Sequence, residues 1–357
     1  MGIRSLFRLA DSVEPVSDIR PRMNVGSWDP VGSLTQIVWT DLFGADAVPV
    51  TRAEAMAIPS VARGRHLIAG TLARIPLHAT SDPPPGTDAE TLDEQPAWLY
   101  RKDGRQSPWH RMLATADDLL FNGESLWAVE RGTDGFPIRA AHVPYTLWDV
   151  DPDSMAVRVN GEPAPSGTVV HIPGAHDGIL SYGKRTIRMG TAMDRAAVET
   201  AERPFRVELH NETDVELLDD EIDTLITRTR NALADNGGIL YTSRGVSARL
   251  HQSAAEHLLI EGRNANAVDV ARMLGIPAAL LDSNAGGTSM TYTNTRDKLA
   301  EFVDFGLGMY MGAISARLSM NDVTPRGTRI VFALEEAINA AAPAAGLPAT
   351  NTGEESA

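Results

Sequence analysis

Residues 266–281 read Asn266-Ala267-Val268-Asp269-Val270-Ala271-Arg272-Met273-Leu274-Gly275-Ile276-Pro277-Ala278-Ala279-Leu280-Leu281. Ala267, Val270, Ala271 and Leu274 recur at helical steps, which gives one apolar helix face. Gly275 falls where a helix ends in the left-handed conformation, and Pro277 cannot continue it. Upstream, Ser253 and Glu256 form a capping box, so the spacing predicts a helix over 253–274. Downstream lies a Gly/Ser/Thr-rich loop, Asp282-Ser283-Asn284-Ala285-Gly286-Gly287-Thr288-Ser289. A long helix then opens near Asn294, with Leu299, Phe302, Val303, Leu307, Tyr310, Ile314 and Leu318 on its apolar side. A last strand is predicted over 328–334.

On the N-terminal side, a helix is predicted over 186–203, stopped by Pro204, and a strand over 205–209. Glu212, Asp214, Glu216, Asp219, Asp220, Glu221 and Asp223 follow with no basic residue among them. Ile222, Leu225, Ile226, Thr229 and Leu233 place a helical stripe in the same segment, Asn236-Gly237-Gly238 ends it, and 239–242 returns as a strand. Residues 205–252 therefore read as a small α+β insert between two helices. Its acidic stretch is either a solvated face or a surface that repels DNA phosphate or meets a basic partner.

Further upstream, Thr51 and Glu54 make a second capping box, and Pro59 starts a new helix. Val61, Ile68, Leu72 and Ile75 line one face of that helix, which ends at Pro76, and Ser81 to Gly86 reads as a turn. Ser107-Pro108 starts another helix, with Trp109, Met112, Leu113, Ala116 and Leu120 on its apolar side and Asn122-Gly123 as its stop. The period then changes. Residues 125–130 and 138–150 read as strands, Val157 and Val159 precede the hairpin signal Asn160-Gly161, and 168–172 is a further strand. This is an antiparallel patch, and the fold class is α+β. Residues 1–48 lack clear periodicity and read as a partly ordered arm. Residues 339–357 are rich in Ala, Pro and Glu and read as disordered.

Composition narrows the function. In 357 residues, Lys plus Arg total 32 and Asp plus Glu total 47, a formal net charge of −15. A broad basic face that grips nucleic acid is therefore not expected. With no cysteine, disulfides, thiolate metal sites and cysteine nucleophiles are excluded. The longest uncharged apolar-rich stretch, 305–316, is about half of the ~20 residues a spanning helix needs. Arg4, Arg8 and Asp11 interrupt any signal-peptide core. The expectation is a protein made in a cytoplasm, or something assembled there, without a membrane partner.

The motifs of common enzymes are missing. Only Lys184 follows a glycine, and Arg185 succeeds it, so there is no phosphate-binding Gly-Lys-Ser/Thr. Neither HExxH nor GxSxG occurs. Asp149, Asp151 and Asp153 are spaced like the start of a calcium loop, but Ser154 and Asn160 stand where Gly and Glu belong, which favours an Asp-Pro turn. His171, His176 and Asp177 fit no metal template and read as ordinary surface residues. Gly308 and Gly312 read as a close helix-packing pair. No catalytic residue, metal ligand or cofactor is expected.

Several blocks together resemble the tailed-bacteriophage portal proteins of the HK97-like family. Ser60-Val61-Ala62-Arg63-Gly64-Arg65-His66-Leu67-Ile68-Ala69 through Ile75-Pro76-Leu77 is similar to the family's early helix. Phe121-Asn122-Gly123-Glu124-Ser125 resembles its lead into the wing strands. Asn266 to Leu281 resembles the pattern IA-x-x-F/L-G-V/I-P-x-x-L-L, and Ser289-Met290-Thr291-Tyr292-Thr293-Asn294 resembles S/T-Y-x-N at a helix start. The resemblance covers roughly residues 51–334.

The resemblance implies the portal fold, with an arm at 1–48, a wing at 49–185, a stem helix at 186–204 and a clip at 205–252. A second stem helix at 253–275 follows, then a tunnel loop, long helix and last wing strand over 276–334, and a tail at 335–357. It implies a homo-oligomeric ring, typically of twelve subunits, at the capsid vertex among copies of the major capsid protein. Double-stranded DNA would pass through without sequence reading. The terminase large subunit and then head–tail connector or adaptor proteins would dock on the clip, and the ring itself would hydrolyse nothing. Ser283, Asn284, Thr288, Ser289, Met290 and Tyr292 would lie nearest the DNA, and Asp214, Glu216, Asp219 and Asp220 in the clip. Two other readings stay open: another head–tail adaptor or capsid-associated ring protein, and an enzyme whose Gly-rich loop holds a phosphate through Thr288 and Ser289.

Overall fold

In the computed structural model the described residues are 49–83, 87, 89–102, 104–202, 205–212, 218–235, 245–252, 255–281, 301–334 and 336. Helices α1 (Arg52–Ala57) and α2 (Pro59–Arg74) lead into strand β1 (Leu77–Ser81). Helices α3 (Ala97–Tyr100) and α4 (Pro108–Asn122) precede β2 (Glu124–Arg131), β3 (Pro137–Val143), β4 (Trp148–Val150), β5 (Val157–Val159), β6 (Glu162–Pro163) and β7 (Val169–Pro173). Next come α5 (Ile179–Tyr182), α6 (Lys184–Glu202), β8 (Phe205–Asn211), α7 (Asp219–Asp235) and β9 (Val246–Gln252). The chain continues through α8 (Ala255–Leu274), α9 (Ala278–Leu281), a π-helical segment Phe302–Leu307, α10 (Gly308–Leu318) and β10 (Thr328–Phe332). Two units emerge: Met1–Thr191 with Ala265–Ala357, and Ala192–Asn264.

The larger unit is built around α2 and α4. The capping box at Thr51 is formed, with Glu54 N–H donating to Thr51 Oγ1 at 3.1 Å and Thr51 N–H donating to Glu54 Oε2 at 2.8 Å. Pro59 opens α2 at its first position, where the missing N–H costs nothing. Val61, Ile68, Leu72 and Ile75 are all buried against Leu119, Leu120 and Phe121 in one apolar cluster. Ser107 caps α4 by accepting from His110 N–H. The buried face of α4 differs from the expected one. Trp109 stands exposed, while Arg111, Thr115, Asp117 and Asp118 turn inward beside Met112, Ala116, Leu119 and Leu120. These polar groups are accommodated because each meets a partner inside the fold, as set out below.

Strand β2 is the centre of the antiparallel sheet β3-β2-β7. Its alternate residues enter two cores. Trp127 and Val129 join the α2–α4 cluster, and Leu126 and Ala128 join a second cluster with Val143, Trp148 and Val159. The predicted strand over 138–150 is broken, because Pro144 leads into a 3-10 turn before β4. The hairpin at Asn160-Gly161 forms with φ of 51° and 79°, as a primed turn requires. β1 pairs antiparallel with β10, Leu77 opposite Phe332 and Ser81 opposite Thr328; no strand is expected at 77–81 from sequence.

In the smaller unit, β8 and β9 form an antiparallel ribbon with Phe205 opposite Gln252 and Asn211 opposite Val246. α7 lies between them in sequence. The strand expected over 239–242 and the capping Ser253 lie outside the described residues, as do the arm at 1–48, the start of the long helix at 294–300 and the tail from 337 onward. Among the described residues no helix is long and apolar enough to cross a membrane.

Candidate functional site

The stretch that decides the fold ends as its chemistry requires. Gly275 has a φ of +66°, its N–H donates to Arg272 O at 3.2 Å, and Ile276 N–H donates to Ala271 O at 3.0 Å. This is the paired-bond C-terminal cap that a left-handed glycine allows. The cap turns the chain onto the π-helical segment. A Cβ on Gly306 would come within 3.1 Å of Gly275 O and 3.2 Å of Ile276 Cγ2, so the two stretches pack closely at this glycine. Phe302 and Leu307 are buried beside Ile276, while Phe305 is 74% exposed.

The described residues flanking 282–300 are thus packed against one another. A π-helical segment, uncommon and frequent at functional sites, carries one of these flanks. The six expected DNA-facing residues, Ser283, Asn284, Thr288, Ser289, Met290 and Tyr292, lie outside the described residues.

Of the expected clip residues, Asp214 and Glu216 lie outside the described residues. Asp219 and Asp220 occupy the first turn of α7 with Glu221, all exposed. Carboxylates there complement the positive end of the helix dipole, and Glu221 Oε2 accepts from Leu218 N–H at 3.1 Å. Part of the apolar stripe in this segment is exposed. Leu218, Ile222 and Ile226 recur every four residues and are exposed, and Leu225 is half-buried. Within the same unit Arg263 pairs with Asp194 at 3.0 Å.

The candidate metal ligands are engaged in protein contacts. His171 Nε2 meets Glu124 Oε2 at 2.9 Å, and His176 Nε2 meets the Tyr310 hydroxyl at 3.0 Å. Burial lowers the His176 pKa. Asp151 Oδ1 accepts from the N–H groups of Asp153 and Ser154, each at 3.0 Å, and Arg158 bridges Asp149 and Asp151, so these carboxylates close a turn. No cluster of three or more metal-ligating side chains occurs among the described residues. Among the described residues Gly308 and Gly312 mark no close helix contact. A Cβ on Gly312 would meet nothing within 4 Å among the described residues.

Sequence reasoning missed a buried polar network that fixes the wall of the larger unit. Asp117 accepts from Arg52 Nε at 2.9 Å and Arg65 Nε at 2.5 Å, tying α1 and α2 to α4. Asp118 Oδ2 meets His142 Nε2 at 2.7 Å, and burial pushes its carboxyl pKa up despite that partner. Arg111 donates to Ala140 O and Trp98 O, each at 2.8 Å, and lies 4.7 Å from the Trp127 ring centre. Burial lowers its pKa to about 10. The available signal was a helix, 108–122, whose polar residues fall on both faces.

The family model described as "Phage portal protein" matches residues 59–344. No curated protein matches the chain. A crystal structure of a HK97 family phage portal protein from Corynebacterium diphtheriae is 35% identical. It has a TM-score of 0.68 and covers 82% of this chain and 98% of its own. The virion of a native gene transfer agent particle contains a chain that is 15% identical at a TM-score of 0.56, covering 82% of this chain and 88% of its own. A neck of that native particle, computed with C12 symmetry, gives 14% identity and a TM-score of 0.54, with 80% and 84% covered. At these identities the last two are likenesses of fold.

Proposed function

Because the chain belongs to the phage portal protein family, we propose that its copies close into a ring, of about twelve, at the capsid vertex, with duplex DNA passing through the bore. The ring is a structural conduit and not a catalyst. The observation that carries this reading is the match to the HK97 family portal protein over 82% of the chain, beside a family model whose matched range, 59–344, spans both units. A cyclic ring uses two different faces of each subunit, and such a ring can surround a helical polyanion without reading its bases.

A conduit must not adhere to its cargo. A chain of net charge −15 repels phosphate on balance. The Ser/Thr/Asn-rich segment at 283–292 supplies short polar contacts that form and break readily. Its described flanks, Gly275–Ile276 and Phe302–Gly306, would hold it as a tunnel loop with Ser283, Asn284, Thr288, Ser289, Met290 and Tyr292 toward the bore. Residues 205–252 of the smaller unit would be the clip. Asp214, Glu216, Asp219 and Asp220 would give it an acidic character beside the exposed Leu218, Ile222 and Ile226. The terminase large subunit and later a head–tail connector protein would dock there, while the larger unit meets the major capsid protein.

The test is substitution of Thr288 and Ser289 by Trp in a packaging system. Rings should assemble normally while DNA packaging or retention falls at least tenfold. Failure of the rings to form, or unchanged packaging, would contradict the placement of the loop.

A further inference from the structure

The larger unit carries a groove outside the segments assigned above to the bore and the clip. It lies between α2, β1, α3 and the start of α4, with a volume of about 350 Å³. Its floor is apolar, with Ile75, Leu99 and Met112. Its rim is aromatic and basic. Tyr100 is 59% exposed and Trp109 43% exposed, and Arg74, Lys102 and His78 stand around them.

Two observations give the groove its chemistry. In a chain of net charge −15, no carboxylate is found among the described residues that line it. A carboxylate already sits at its rim, because His78 Nε2 meets Glu336 Oε2 at 3.2 Å. Arg74 and Lys102 make no hydrogen bond or ion pair among the described residues, so their charges face solvent across the groove. Exposed aromatics beside cations accept an apolar side chain and a neighbouring carboxylate together, because the rings and the lysine stem bury hydrocarbon while the charged heads stay wet.

We propose that this groove is a docking site for an acidic peptide segment of another protein, one carrying Leu or Pro between Glu or Asp residues. The apolar residue enters between Tyr100 and Trp109, and the flanking carboxylates pair with Arg74 and Lys102. Pairing of exposed charges is screened by salt, so binding weakens as ionic strength rises. The partner is a protein tail and not duplex DNA, since the bases of a duplex are stacked inside it and leave no apolar group for the floor and the aromatic rim of the groove.

The test uses the full chain and a fluorescein-labelled octapeptide of alternating Glu-Glu and Leu-Pro pairs, read by fluorescence anisotropy. Saturable binding is expected at low salt, weakened at least tenfold by Arg74→Glu with Lys102→Glu and at least threefold by Trp109→Ala. The same peptide with Gln for Glu should bind at least tenfold more weakly. Arg195→Glu in the smaller unit should leave binding unchanged, and circular dichroism should match the parent for every variant. No saturable binding, equal binding to the double charge reversal, or equal binding of the Gln peptide would overturn the proposal. Binding that appears only when the chain is ended after Glu336 would also overturn it, because the occupant would then be the chain's own last segment.

Discussion

Gly64 on α2 receives the side chain of Leu274, the last residue of α8: a Cβ on the glycine would overlap Leu274 Cδ1. This contact joins the early helix to the stretch at 266–281, so the two blocks that carry the family pattern are one packing unit. Gly64→Ala should cost about 1–3 kcal/mol by overpacking, and Leu274→Ala about 2–5 kcal/mol by leaving a cavity. In Gly64→Ala with Leu274→Ala the costs should fall short of their sum by at least about 0.5 kcal/mol. Urea unfolding of the singles and the double measures this, and strict additivity would contradict the contact.

Asp117 holds two arginines at once. Removing it takes from both largely buried guanidinium groups the carboxylate they share. Asp117→Ala should therefore cost about 3 kcal/mol or more. Arg65→Ala, which leaves the Arg52 pair in place, should cost less than half as much. Chemical denaturation compares the two directly.

Burial raises the Asp118 pKa above its ordinary value. The folded state therefore binds this proton more tightly than the unfolded chain does. Its contribution is fully present below the ordinary carboxylate value and is lost as pH rises through the folded value. Measured against Asp118→Asn, the parent chain should gain thermal stability as pH falls from neutral toward 4. A difference that stays flat, or runs the other way, would contradict the buried, proton-favouring site.

Two glycines should respond oppositely to alanine. Gly275 needs its φ of +66°, so Gly275→Ala should destabilise by about 1 kcal/mol or more. Gly312 lies within α10, and a Cβ there meets nothing among the described residues. Gly312→Ala should stabilise by up to about 1 kcal/mol through helix propensity. Thermal unfolding of the two variants decides both.

What the sequence discloses is what is encoded locally. The cap at Gly275, the capping box at Thr51, the start at Pro59 and the turn at Asn160-Gly161 each rest on residues a few positions apart, and each was legible. The strand Leu77–Ser81 was not, because the residues that make it a strand, Thr328–Phe332, lie some 250 positions along the chain. β2 shows no clean alternation because both its faces are buried, in two different clusters. The inward turn of Arg111, Asp117 and Asp118 was hidden because a polar residue reads as a surface residue until its partner is known. Those partners, Arg52, Arg65, Ala140 and His142, come from other elements. For the candidate site, the family pattern marked the loop at 281–293, while the packing of Gly275 on Gly306 beside it became visible only in three dimensions.

Imaging the purified full-length chain by electron microscopy tests the central claim most directly. Closed annuli with a central opening wide enough for duplex DNA, and with rotational symmetry near twelve, are the predicted result. Particles that remain single subunits at micromolar concentration, or assemble into open filaments without a bore, would contradict it.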